Sequence, residues 1–274
     1  MEKPLITSVQ NPLVKRLCHL HERKGREASG TFLVEGVHLV EEALRSGAEI
    51  MTLLYEEEKG IDPVCYRALQ NRDDEIEVIP VSVAVMEKLS ETKTPQGIVA
   101  EVKKQQHDWS SLLEEMRDRP VLVLLLDGIS DPGNLGTILR TAEAAGADAV
   151  VLGNGSVDLY NGKVVRATMG ALFRLPVFTC PLTEAADQLK ALGGTLLVTS
   201  LGEGTERYDR VAYRGKVGIV IGNEARGVSA ELLQAATQLV HIPLYGAAES
   251  LNAAVATGIM LYEAQRQRSL PPPQ

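Results

Sequence analysis

The sequence is short of cysteine, of long apolar runs and of positive charge, and each shortage excludes something. Its three cysteines, Cys18, Cys65 and Cys180, are odd in number, widely spaced and in no metal-ligand pattern. Neither a disulfide framework nor a metal site is expected from them. No apolar run approaches the roughly 20 residues needed to span a bilayer. The longest, Val121 to Leu126, is strand-sized. The start of the chain, Met1 to Leu17, lacks the continuous apolar segment and small-residue cleavage site of a secretory signal, which points to a cytoplasmic protein with no membrane partner. Two common nucleotide loops are missing as well. No Gly-Lys-Ser or Gly-Lys-Thr occurs, and Gly128, Gly133 and Gly136 do not have the G-x-G-x-x-G spacing. ATP- and NAD-dependent classes therefore recede.

The net charge of -8 runs against a polyanionic partner in bulk, since phosphate contacts supply much of nucleic-acid affinity. Its distribution is uneven. In the first 30 residues Lys3, Lys15, Arg16, Arg23, Lys24 and Arg26 outnumber Glu2, Glu22 and Glu27, whereas Glu56 to Glu58 and Asp73 to Glu75 form compact acidic runs. Lys15, Arg16, Lys24 and Arg26 are the candidates for phosphate contacts with any nucleic-acid partner, although the same pattern describes a solvated helix face.

Two domains are expected. Residues 1–105 mix a helix at Pro12 to Glu27, a strand at Thr31 to Val34, a helix at Val37 to Gly47 and strands near Ile50 to Tyr55 and Glu75 to Pro80, the pattern of a small α/β or α+β domain. Residues 106–120 form a linker, beginning in the polar run Lys103 to Asp108, and a short helix. From Val121 to the end, short Val, Ile and Leu strands alternate with helical patterns. Such strands are buried on both faces, so an α/β domain with a parallel sheet and helices on both faces is expected. Ligands bind these sheets at the carboxyl ends of the strands.

Polar and glycine residues collect in three segments there. In Asp131-Pro-Gly-Asn-Leu-Gly-Thr-Ile-Leu-Arg140 a turn-rich loop opens a helix, with Arg140 about one turn inside it and able to clamp a phosphate. A helix start capped by Asn134 and Thr137, with Arg140 solvated, fits equally. In Ile219-Val-Ile-Gly-Asn-Glu-Ala-Arg-Gly-Val-Ser229 a buried strand stops at Gly222, and Glu224 lies at its carboxyl end, either as a chemical group or as a solvated turn residue. The third, His241 to Ala256, ends a strand near Pro243 and begins a small-residue helix at Ser250, which could be only its N-cap.

Asn134-x-Gly-x-Ile-x-Arg140, Ile221-Gly-Asn-Glu-Ala-Arg-Gly227 and Ile242-Pro-Leu followed by Glu249-Ser-Leu-Asn-Ala-Ala-Val-Ala256 resemble the three motifs of the SpoU (TrmH-like) family, in order. Val34-Glu-Gly and Thr94-Pro-Gln-Gly more loosely resemble the family's small L30-like substrate-binding domain. The resemblance implies a C-terminal trefoil knot of the SPOUT type and a homodimer with sites completed across subunits. It implies S-adenosyl-L-methionine as cofactor, contacted by Ser200, Leu201, Gly222, Ile242 and Leu251, and methyl transfer to a ribose 2'-hydroxyl of RNA. The L30-like half suggests 23S ribosomal RNA; a transfer-RNA methyltransferase and a non-catalytic RNA-binding protein of the same fold are the alternatives.

The family's catalytic set corresponds to Asn134, Arg140, Glu224, Ser250 and Asn252, with no metal. A guanidinium is not deprotonated in proteins. Arg140 is therefore expected to hold phosphate and lower the hydroxyl's proton affinity, with Glu224 either pairing with Arg140 or accepting the proton.

Overall fold

The computed structural model describes residues 3–270. The chain divides into two compact units; the first comprises the chain up to Gln106 together with Asp158–Arg174, and the second the remainder.

The first unit opens with helices α1 (Pro12–Cys18) and α2 (Arg23–Ser29), separated by a single 3-10 turn and an extended Glu22. The single helix expected over Pro12 to Glu27 is thus broken into a corner. Gly25 permits it, because a Cβ there would lie 1.9 Å from the His19 carbonyl oxygen. Then follow β1 (Thr31–Glu35), α3 (Val37–Arg45), β2 (Ile50–Glu56), α4 (Pro63–Gln70), β3 (Glu77–Val81), α5 (Val83–Leu89) and β4 (Ile98–Lys103). The sheet order is β1-β4-β2-β3, antiparallel except for β2 with β3. The sequence reading missed α4, α5 and β4, and β4 lies at the centre of this sheet beside β1 and β2.

The corner takes one of the four candidate RNA contacts inside. Arg26 is only 3% exposed. Its guanidinium donates to the carbonyls of Leu20 (2.7 Å) and His21 (2.8 Å) and to the Asp158 carboxylate. A buried guanidinium spent in this way cannot also meet RNA, so Arg26 leaves the candidate set. Arg16 forms a bidentate pair with the buried Glu101, which also accepts from the Thr31 hydroxyl, so its first task is to neutralise a carboxylate inside the sheet. Lys15 and Lys24 are exposed.

The second unit begins with α6 (Trp109–Glu115), β5 (Val121–Asp127), α7 (Pro132–Ala144) and β6 (Ala149–Leu152). At Asp158 the chain returns to the first unit with α8 (Gly162–Thr168) and a 3-10 turn, Ala171–Phe173. Val165, Leu172 and Phe173 pack there with Phe32, Val34 and Val102. Arg166 pairs with Glu91 at 2.9 Å, and Arg174 pairs with Glu42. Chain order had put this segment in the second domain; its apolar side chains and charges are matched to the first unit.

The second unit resumes with β7 (Val177–Thr179), α9 (Leu182–Ala191), β8 (Thr195–Thr199), β9 (Glu206–Arg207), β10 (Lys216–Gly222), α10 (Ala230–Ala235), β11 (Gln238–His241) and α11 (Ala253–Ser269). Its seven strands run in the order β7-β6-β5-β10-β8-β11-β9, and every pairing is parallel, as the unbroken apolar runs required. Val121, Val123 and Leu125 of β5 pack in one cluster with Leu182 and Ala185 of α9 and Leu232 of α10. The alternate Leu122, Leu124 and Leu126 are equally buried, and α7 packs against α11. No helix of the described residues is long and apolar enough to cross a membrane.

Candidate active site

The carboxyl ends of β8, β10 and β11 open onto a cavity of about 510 Å³. All five residues expected to hold a cofactor, Ser200, Leu201, Gly222, Ile242 and Leu251, line it, together with Glu224 and Ser250. Leu201 is 65% exposed and Leu251 36%, so apolar side chains stand uncovered in its wall.

Gly222 is needed for a reason other than ligand approach. A Cβ on it would lie 2.3 Å from the Gly227 carbonyl carbon and 2.4 Å from the Val228 nitrogen, both backbone atoms that cannot swing aside. The tight return is locked by reciprocal backbone bonds between Asn223 and Gly227, with Gly227 at φ +70°. We expect Gly222→Ala to displace this loop, costing about 1–3 kcal/mol of stability, and to weaken binding of S-adenosyl-L-methionine at least tenfold. Thermal melting and calorimetric titration would measure both; an unaltered affinity would refute this account of the glycine.

Three of the five candidate catalytic residues come together in one hydrogen-bonded chain. Asn134 Nδ2 donates to Glu224 Oε1 at 3.0 Å, and Asn252 Nδ2 donates to Asn134 Oδ1 at 2.9 Å. Asn252 Oδ1 then accepts from the backbone N–H groups of Ala254 (2.9 Å) and Val255 (3.3 Å), capping α11. The polarity is fixed at both ends. A carboxylate has no proton to give and a helix start needs an acceptor, so neither amide can be reversed without losing a bond. Asn252, rather than Ser250, is thus the N-cap of α11, and Asp131, rather than Asn134, is that of α7. The Ser250 hydroxyl has no partner among the described residues and faces the cavity.

Glu224 is a clamp. Its carboxylate also accepts from the Ser130 N–H (3.2 Å), the Ser130 hydroxyl (3.0 Å) and the Asp131 N–H (3.3 Å). Partial burial opposes its charge, but the bonds from Asn134 and from the backbone outweigh it and bring its pKa down to about 2. A carboxylate so stabilised is a weak base at neutral pH, and it pairs with Asn134, not with Arg140.

Arg140 stands apart. It is the ninth residue of α7 rather than lying one turn in, is exposed, and has no partner among the described residues. It lies six positions after Asn134, about 9 Å along the helix and about 120° around it. It does not line the cavity.

Sequence reasoning missed Asn223 and Asp127. The Asn223 Oδ1 accepts from the N–H groups of Ala225 and Arg226, and its Nδ2 donates to the Gly128 carbonyl at 2.7 Å, tying the end of β10 to the end of β5. Asp127 accepts from the Ser229 N–H at 2.7 Å. An asparagine directly after the glycine that ends a buried strand was the available signal for Asn223, since this residue readily folds its side chain onto the backbone two positions on.

A parallel sheet covered by helices, with a polar loop network and a cavity at the strands' carboxyl ends, defines a small-molecule-binding α/β protein. Comparison with known proteins narrows that class. The SpoU rRNA Methylase family matches residues 121–262, and an MRM3-like substrate binding domain matches residues 11–100. The 23S rRNA (guanosine(2553)-2'-O)-methyltransferase RlmP of Bacillus subtilis is 39% identical over 257 residues, covering 94% of this chain and 97% of that one. The AdoMet-bound rRNA methyltransferase from Sinorhizobium meliloti aligns with a TM-score of 0.85 at 33% identity, covering 98% of this chain and 99% of the other. The SpoU methyltransferase AviRb from Streptomyces viridochromogenes, in complex with AdoMet, has a TM-score of 0.83 at 30% identity over 94% of this chain and 98% of its own. The chain belongs to the SpoU rRNA methylase family.

Proposed function

We propose that this chain is an S-adenosyl-L-methionine-dependent methyltransferase acting in the cytoplasm on a ribose 2'-hydroxyl of 23S ribosomal RNA. The observation that carries the reading is the Glu224–Asn134–Asn252 chain, which joins three segments far apart in sequence beside the cavity at the strand ends. The cavity suits the cofactor: its volume lies in the range of ligand sites, and its wall mixes uncovered leucines with polar groups, matching an amphiphile with an adenosine and a charged tail. Ser200, Leu201, Gly222, Ile242 and Leu251 would hold it there. The bound sulfonium supplies the methyl group; the C–S bond breaks as a C–O bond forms to the ribose oxygen, which loses its proton.

The protein's part is orientation and electrostatics. The amides of Asn134 and Asn252 are fixed before substrate arrives, so hydrogen bonds to the ribose cost little reorganisation. Ser250 offers a hydroxyl at the same rim. Arg140, permanently cationic, binds phosphate and lowers the proton affinity of the 2'-hydroxyl, with the proton passing to solvent. Incubating the protein with methyl-labelled cofactor and unmodified 23S ribosomal RNA, then mapping 2'-O-methylation by nucleotide, tests the reading. Label in transfer RNA alone, or in no RNA, would overturn it.

The same reading includes a homodimer in which Arg140 serves the partner's site. Its separation from its own chain's cavity supports this, as do Val255 (52% exposed) and Tyr262 (56%), which lie two turns apart on the outer face of α11. Light scattering at micromolar concentration should give twice the mass of the chain, and a monomer mass would count against it. The reading further includes a trefoil knot in the second unit and an L30-like fold for the first, supported by the order of the motifs and by the four-stranded mixed sheet.

A further inference from the structure

Arg226 lies in the loop after β10 and lines the cavity, yet no role has fallen to it. Most arginines here are engaged: Arg16 with Glu101, Arg26 with Asp158, Arg166 with Glu91, Arg207 with Asp209, Arg266 with Glu263, and Arg268 with backbone carbonyls. Arg226 is exposed, and its guanidinium has no partner among the described residues. The backbone beneath it is rigid: its N–H is held by Asn223 Oδ1 at 3.0 Å, and the next residue is bridged back to Asn223. An unpaired cation on a fixed loop in an acidic protein is arranged for an anion from outside.

The direction of the side chain says which anion. A Cβ on Gly128, just past the end of β5, would lie 3.7 Å from Arg226 Nη2. The sheet order is β5-β10-β8-β11, so the head group reaches toward β5, while Ser200, Leu201 and Ile242 follow β8 and β11 on the opposite side of β10. Gly128 leads directly into Ser130 and Asp131, which hold Glu224 and through it Asn134. Arg226 thus lines the cavity on its β5 side, toward Gly128 and the loop that holds Glu224, and not on the side of β8 and β11. We propose that Arg226 is a substrate-positioning residue that grips an RNA backbone phosphate next to the modified ribose. This rests on the reading of the site as an RNA 2'-O-methyltransferase.

The test compares wild type with Arg226→Ala and Arg226→Lys in the full-length protein, using unmodified 23S ribosomal RNA and S-adenosyl-L-methionine. The alanine variant should raise KM for RNA about tenfold, leave kcat within about twofold and reduce the slope of log affinity against log salt by about one, the signature of one lost phosphate contact. Calorimetric affinity for the cofactor and the melting temperature should not change, and lysine should restore the salt slope. An unchanged KM and slope would overturn the proposal, as would a loss of cofactor affinity, which would assign Arg226 to the cofactor's carboxylate. If the wild type transfers no methyl group but the alanine variant still flattens the salt slope of RNA binding, the reaction reading fails and the phosphate contact stands. If the wild type binds no RNA, both fall.

Discussion

Arg140→Ala should abolish RNA methylation, with a rate at least about 10²–10³ below wild type, the usual loss when one preorganised charge-stabilising donor is removed, while affinity for S-adenosyl-L-methionine stays within about twofold. Both parts follow from where the side chain is. Arg140 is exposed on α7, has no hydrogen-bond or ionic partner among the described residues and does not line the cavity, so its removal should neither unfold the chain nor disturb the proposed cofactor site. Arg140→Lys should recover only a small fraction, because a point charge cannot reproduce a bidentate fork. Initial rates of label transfer and calorimetric titration of the cofactor measure the two parts. Full retained activity would remove Arg140 from the mechanism; lost cofactor affinity would relocate it to the cofactor.

Removing residues 1–105 should destabilise what is left rather than release a working domain. The Asp158–Arg174 segment belongs by contact to the first unit, and its Val165, Leu172 and Phe173 are buried against residues the deletion takes away. Uncovering each costs roughly 1.5–3 kcal/mol, so the segment would lose its packing and leave large apolar side chains exposed to water. Asp158, Arg166 and Arg174 would also lose Arg26, Glu91 and Glu42. Two glycines point the same way. A Cβ on Gly162 would lie 1.9 Å from a Glu91 carboxylate oxygen, and one on Gly170 would lie 2.7 Å from Glu42, so the segment is shaped around those side chains. The truncated chain should aggregate or melt far below the full-length protein; a soluble, cooperatively melting fragment with wild-type cofactor affinity would show that the segment does not need its neighbours.

Some of this was legible in the amino-acid order alone. Unbroken runs such as Val121 to Leu126 and Val217 to Ile221 are too apolar for a half-exposed sheet, and that dictated parallel strands covered on both sides. The three motif segments were findable because glycine, asparagine and capping residues at strand ends mark where backbone must turn sharply. The five cofactor-site candidates then converge on one cavity, because each follows a strand of the same parallel sheet or leads into α11, and those ends share one edge. Burial and partnership were not legible, since both depend on residues distant in the chain. Arg26 looked like its basic neighbours until Asp158, 132 positions away, took its charge inside. Glu224 looked like a base or a partner for Arg140 until Ser130, Asp131 and Asn134 filled its oxygens. The order of residues fixes which groups are available, but which of them remain free to meet a substrate is decided only when the folded chain has spent the others on itself.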